Sequence, residues 1–435
     1  MKDAALQVDK AIEAIWRIES AKVVAAVARL TGDLGLAEDF AQDALVAALE
    51  TWPESGLPDN PGAWLMTTAR RRALDRLRHE RIAAPKHAEL ALDLDAAHAA
   101  REEALAERID TALDDDIGDD VLRLIFAACH PLLSREASCA LTLKVIGGLS
   151  TGEIARAYLK SEPAIAQRIV RAKRTLSEAH VPFEVPRGVD FTARLASVLE
   201  VIYLIFNEGY AATAGDEWMR PALCEEALRL GQVLAGLIPD EAEVQGLAAL
   251  MDVQASRLAA RVAANGEPIL LLDQDRRRWD RVLIRRGFAT LERAEALPGA
   301  FGPYTLQAAI AACHARAAKA ADTDWPRIVA LYDALAAIAP SPVVALNRAV
   351  AVGMAFGPAA GLELVDALCD EPALKDYHLL PSVRGDLLAK LDRIDEARSE
   401  FQRAADLARN ARERALLYAR AAACMSSASA PGSKS

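Results

Sequence analysis

The sequence predicts an all-α protein, and three observations carry that reading. Apolar residues make up 52% of the 435-residue chain but aromatics only 5%, a balance that disfavours sheets, which draw on β-branched and aromatic side chains. Long stretches are rich in Ala, Leu, Arg and Glu, residues that lose little on entering a helix. Apolar positions also recur at spacings of three and four, the period of a helix with one buried stripe. A chain of this length should hold about two to four domains.

The expected parts are a helical domain over residues 1–87, an acidic linker over 88–117 and a second small helical domain over 118–183. A helical extension over 184–300, helical repeats over 301–424 and a disordered tail over 425–435 follow. No apolar run approaches the ~18 residues that a membrane span requires. Charges interrupt the opening stretch "MKDAALQVDKAIEAIWRIES", so no signal peptide is expected. The reading is a cytoplasmic protein without membrane contact. Its six cysteines, at 129, 139, 224, 313, 369 and 424, form no CxxC pair. Buried reduced thiols are expected there, with neither a zinc site nor a disulfide framework, and no cofactor.

In the first domain, "GLAEDFAQDALVAALETW" reads as an amphipathic helix whose start gathers Glu38, Asp39 and Asp43. The turn-rich "PESGLPDNPG" should end it. A second helix, "PGAWLMTTARRRALDRLRHER", places Leu65, Met66, Ala69, Ala73, Leu74 and Leu77 on one face. Thr67, Thr68, Arg71, Arg72, Asp75 and Arg78 cover the other, with Arg70 and Arg76 at its flanks.

Charge is spread unevenly along the chain, whose formal net is −11. Residues 1–87 carry 12 Lys+Arg against 13 Asp+Glu, residues 88–120 carry 2 against 12, and residues 121–180 carry 9 against 4. The acidic block has weak periodicity and suits a solvated spacer. The functional alternative is a strip that occupies the basic, nucleic-acid-binding channel of a partner.

The basic segment contains "LSTGEIARAYLKSEPAIAQRIVRAKRTL". Ser150 and Glu153 have the spacing of a capping box, which starts a helix running to about Leu159, and Ser161 is placed to cap the next. In that second helix Ile165, Ile169, Ala172 and Leu176 form one stripe, leaving Gln167, Arg168, Arg171, Arg174 and Thr175 on the opposite face. Two short helices with a polar, arginine-rich outer face suit a helix-turn-helix. Arg pairs with guanine and Gln with adenine in a major groove, and further cations meet phosphates.

Taken together these segments resemble a known family. Residues 26–81 resemble the second conserved region of bacterial sigma factors, and residues 121–180 resemble the fourth. Nothing like the first or third region lies between them, an arrangement similar to the extracytoplasmic-function subfamily of the sigma-70 class. "YLIFNEGY", "LLDQDRRRWDRVLIRRG", "GPYTLQAAIAACHA", "DTDWPRIVALYDAL" and "SPVVALNRAVAV" resemble the C-terminal extension of one subgroup, which ends in tetratricopeptide-like repeats.

The resemblance implies partners and roles. Glu38, Asp39, Gln42 and Asp43 would dock on core RNA polymerase. Asn60, Arg70, Arg71, Arg72 and Arg78 would hold the melted −10 element of promoter DNA, where exposed bases need cations along the backbone. Gln167, Arg168 and Arg171 would read base edges of the −35 element, and Lys173 and Arg174 would meet its phosphates. Trp64 is expected to anchor the core. No catalytic residue and no metal are implied.

Tyr332 and Phe401, in "LYDAL" and "EFQRAADL", lie 69 positions apart, about twice the ~34-residue tetratricopeptide period. Stacked helical hairpins follow, with a concave surface suited to a protein or peptide ligand. Two other functions compete with the sigma-factor reading. One is a conventional helix-turn-helix regulator with a helical sensor. The other is an enzyme that gathers Glu208, Asp273, Gln274, Asp275, Arg276 and His314 in the C-terminal half.

Overall fold

The computed structural model describes residues 2–83, 113–158 and 160–428. Among them no strand is present, and the chain divides into two compact units, Met1–Ile202 and Tyr203–Ser435.

In the first unit, α1 (Lys2–Thr31) is the central element, and α2 (Leu34–Ser55), α3 (Pro61–Ala83) and α4 (Leu113–Ala128) all pack on it. Val23 to Ala28 are buried without interruption because neighbours surround that stretch. α2 offers a stripe of small residues, Ala37, Ala41, Ala44 and Ala48, ending at Trp52. All are essentially inaccessible, so the backbones approach closely. Asp33 caps α2 by accepting from the Leu36 amide at 2.9 Å. Gly56, at φ +82°, turns the chain out of the helix in a conformation that favours glycine.

α3 buries Leu65, Ala69 and Ala73, as the spacing predicts, and Trp64 packs edge-on to Trp52 at 5.3 Å. Leu74 departs from its predicted face and is 42% exposed. It lies one position, about 100°, beyond the narrow stripe that ends at Ala73. The expected linker over 88–117 lies outside the described residues except for its end, where α4 has already begun at Leu113. Asp120, last of the acidic run, is buried between Arg29 (3.2 Å) and Arg123 (2.5 Å).

α5 (Arg135–Val145), α6 (Thr151–Ala157) and α7 (Glu162–Glu178) follow. The predicted capping box forms: Glu153 accepts from the Ser150 amide at 2.7 Å, and the Ser150 hydroxyl accepts from the Glu153 amide at 3.2 Å. Ser161 occupies the N-cap of α7 without a side-chain bond. Ile165, Ile169, Ala172 and Leu176 are all buried.

α8 (Val189–Tyr210) carries the chain into the second unit. There α9 (Pro221–Leu237), α10 (Ala242–Ala255), α11 (Arg281–Ala296) and α12 (Pro303–Arg316) precede α13 (Trp325–Ile338), α14 (Pro342–Phe356) and α15 (Pro358–Asp366). The last three helices are α16 (Leu379–Lys390), α17 (Ile394–Leu407) and α18 (Ala411–Ala428). Consecutive helices pack as hairpins, α13 with α14 and α17 with α18. Gly353 and Gly361 let α14 and α15 meet at backbone distance, since a Cβ on Gly361 would stand 2.7 Å from the Gly353 Cα. Asn410 is buried at the start of α18 and donates to the Ala212 and Glu217 carbonyls at 3.2 and 2.8 Å, tying the last helix to the 211–217 loop. α18 runs to Ala428, into the expected tail, and residues 429–435 lie outside the described residues.

Candidate nucleic-acid and polymerase interfaces

The outer face of α7 presents Gln167, Arg171 and Arg174 to solvent, with Arg168 half-buried beside them. Gln167, Arg168, Arg171 and Thr175 share an open concavity of about 430 Å³ with Leu132, Ser134 and Ala137. Its floor exists because the stripe from Ile165 to Leu176 fixes α7 against α5 and α6. The concavity is therefore walled by side chains able to donate to base edges and phosphates. Arg174 spans to Glu178 at 2.6 Å, an exposed pair that screening keeps weak.

Lys173 does not join that face. It points toward α2, 17% exposed, and its ammonium pairs with Glu38. The reason is angular: Lys173 follows buried Ala172 directly and lies at the edge of the apolar stripe.

On α2 the four acidic-face residues separate into two kinds. Asp39 and Asp43 are exposed, whereas Glu38 is buried and Gln42 half-buried. Gln42 donates to Glu38 Oε1 at 2.6 Å, and Lys144 of α5 lies 3.7 Å from the same oxygen.

On α3, Arg71 is exposed, and Arg70 and Arg72 are half-buried. Arg72 reaches Asp43, with its guanidinium 2.9 Å from the Asp43 carbonyl and 3.4 Å from the carboxylate. Arg78 belongs to α3, but its side chain lies outside the described residues. Asn60 caps α3, its Oδ1 accepting from the Ala63 amide at 3.1 Å. The amide nitrogen of that side chain is still available as a donor toward a base.

Sequence reasoning missed a group of residues between the two small domains. Ser177 donates to Asp33 Oδ2 at 2.9 Å, and Arg17 donates to Glu153 Oε1 at 2.7 Å. Burial alone would raise the Asp33 carboxyl, but the Leu36 amide, the Ser177 hydroxyl and the Lys173 charge together hold it below the usual range. Glu153 is likewise held low despite its burial, by bonds from Ser150 and the charge of Arg17. Partners this far apart in sequence leave no periodic signal.

In the second unit Glu208, Gln274, Asp275 and Arg276 of the enzyme reading each bond partners that leave them in structural pairings. Glu208 pairs with Arg220 and accepts from Thr213. Asp275 bonds Arg277, Gln274 donates to the Ile269 carbonyl, and Arg276 donates to the His314 and Ala317 carbonyls at 2.5 and 2.7 Å, where α12 ends. Burial, with Arg257 and Arg276 nearby, pushes the His314 imidazole down to about 4. A neutral ring above a helix end and guanidiniums that satisfy helix carbonyls are structural roles. A groove of about 170 Å³ on the hairpin stack is lined by Leu270, Val350, Met354, Val383, Lys390 and Arg420 among others. Five of the six cysteines are buried and Cys369 is half-buried. Among the described residues no helix is long and apolar enough to cross a membrane, and no metal-ligating cluster is present.

Comparison with known proteins agrees with this geometry. Residues 17–82 match Sigma-70 region 2, residues 123–176 match Sigma-70, region 4, and residues 194–295 match a family of unknown function (DUF6596). An uncharacterized protein of Rhizobium meliloti (strain 1021) is 45% identical over 399 residues, which cover 91% of this chain and 92% of that protein. The region 2 match thus takes in the second half of α1, all of α2 and nearly all of α3, and the region 4 match takes in the end of α4, α5, α6 and most of α7, domains that imply binding to core RNA polymerase and to promoter DNA. The chain belongs to the sigma-70 family, as a transcription factor of the extracytoplasmic-function type with a helical C-terminal extension.

Proposed function

We propose that this sigma factor is a dissociable subunit that directs core polymerase to promoters through two separate elements. α7 reads the −35 element with Gln167, Arg168 and Arg171, while Arg174 meets its phosphates; Lys173 joins them only when released from Glu38. α3 and the loop before it hold the opened −10 element, with Asn60 at a base and Arg70, Arg71, Arg72 and Arg78 along the backbone. The face of α2 bearing Glu38, Asp39, Gln42 and Asp43 docks on polymerase. The hairpins of the second unit regulate this activity by binding a protein or peptide.

The observation that carries the proposal is the pairing of two arginine-bearing helices on separate small domains, one of them beside an acidic helix. A duplex-binding regulator requires one recognition helix per copy. A second basic helix beside an acidic docking face suits a protein that holds a single strand while bound to a large basic partner.

Core-dependent transcription tests it. Purified protein with bacterial core polymerase should start transcription from a promoter upstream of its own gene, and neither component alone should do so. Specific duplex binding by the isolated protein, without association with core, would establish the conventional regulator instead.

A further inference from the structure

On the sigma-factor reading Glu38 belongs to the surface that meets polymerase, yet the residue is only 3% exposed. What covers it is the region 4 part of the chain. Lys144 from α5 and Lys173 from α7 converge on its carboxylate, their own side chains 20% and 17% exposed. Around this centre stand the Ser177–Asp33 hydrogen bond (2.9 Å), the Arg17–Glu153 pair (2.7 Å) and the Arg29–Asp120 pair (3.2 Å). The turn at Gly148 lies directly on α1, where a Cβ would come within 2.8 Å of Ser20 Oγ and 3.4 Å of the Arg17 backbone.

We propose that these contacts form an autoinhibitory clasp: region 4 covers the polymerase-docking part of α2 until core polymerase displaces it. The inference rests on the docking role proposed for Glu38. One carboxylate cannot face two lysines of its own chain and a basic surface of polymerase at once, and Lys173 cannot meet both Glu38 and a phosphate.

Two features mark the contact as separable rather than as permanent core. Its α2 side is carried by ions and a hydroxyl, Glu38 with Lys144 and Lys173 and Asp33 with Ser177, whereas permanent interfaces rely on apolar burial. Beside it lies a groove of about 590 Å³, walled by Ile12, Trp16, Leu45, Val46 and Leu49, that the described side chains leave unfilled. An interface that must open loses less when it opens if its packing is incomplete.

A reversible covalent lock tests the clasp in the full-length chain. Replacing Ser20 and Gly148 by cysteine places one thiol on α1 and one on the region 4 turn, within disulfide reach and outside the residues assigned to polymerase or DNA. The oxidised S20C/G148C protein should bind core polymerase at least tenfold more weakly than the same protein after reduction. Wild type taken through the same oxidation controls for the native cysteines. Apparent affinity scales with the fraction of open chain, so the closed form should lose binding in proportion.

Equal affinity in the two redox states overturns the clasp and leaves the sigma-factor reading intact. Failure of both wild type and the reduced variant to bind core overturns the docking role itself. Should the cysteine pair disturb the fold, seen as lost helical signal, Lys144→Ala with Ser177→Ala decides the question. Several-fold tighter core binding supports the clasp, and unchanged or weaker binding refutes it.

Discussion

Arg286→Ala should expose how the second unit tolerates a carboxylate at its centre. Asp252 on α10 is fully inaccessible, and its two oxygens receive the Arg286 guanidinium from α11 at 2.6 and 2.5 Å. Gln232 adds one more bond at 3.3 Å. Burial raises the Asp252 carboxyl, and the Arg286 bonds and charge pull it part of the way back. Removing one partner of a fully buried pair costs about 3–5 kcal/mol. Because the Arg286 side chain is 43% exposed, solvent already screens part of the pair, and about 2–3 kcal/mol is expected.

The sign with pH follows from linkage. A carboxyl whose folded pKa is raised favours the fold most when protonated, so its contribution is lost as pH rises through the folded value. In Arg286→Ala that value rises further, and the deficit against wild type should shrink between neutral pH and a mildly acidic one. Urea denaturation at the two pH values measures both effects, read as a midpoint shift at constant slope. Adding Asp252→Asn should recover most of the loss. A deficit under about 1 kcal/mol, or one that does not change with pH, would refute the reasoning.

Three other outcomes are expected. Arg171→Ala should weaken binding to the −35 element by about 1–3 kcal/mol and relax preference at one position, and a footprint of unchanged strength and preference would remove Arg171 from the readout. Phe401→Ala should cost about 3–5 kcal/mol in thermal or chemical denaturation, because the ring is 2% exposed, lies against Gly385 and carries the Arg420 guanidinium 4.3 Å from its centroid. Holding His314 neutral down to about 4 means that the unfolded chain takes up a proton first as pH falls below about 6.5. Stability should then drop by about 3 kcal/mol between those values, and a His314→Gln variant should show a flatter profile.

Much of the first unit was legible because helical periodicity is a local property. The stripe of Ile165, Ile169, Ala172 and Leu176 and the box of Ser150 and Glu153 each depend on residues within a few turns of one another. Misreadings occur where a neighbour outside the window decides the outcome. Leu74 satisfies an apolar pattern yet meets solvent, since the faces of α1 and α2 are already filled by Leu65, Ala69 and Ala73. The cap that Asn60 provides for α3, its Oδ1 accepting from the Ala63 amide, is likewise not part of the sequence reading, which considers the residue only as a contact to a base. The enzyme reading of the C-terminal half rested on residue types alone, and pairing partners such as Arg220 for Glu208 could not be foreseen from spacing.

By itself the sequence determined the all-α class, the buried stripes of α3 and α7, the capping box that starts α6 and the two arginine-bearing faces, because propensity, capping and period are set by neighbours along the chain. Only the tertiary structure decided which charges meet. Lys173 and Glu38 are 135 positions apart, and their pairing depends on how two distant segments of one compact unit settle against each other. That choice is made by shape and by the cost of burying an unpaired carboxylate, neither of which is written in the order of the residues.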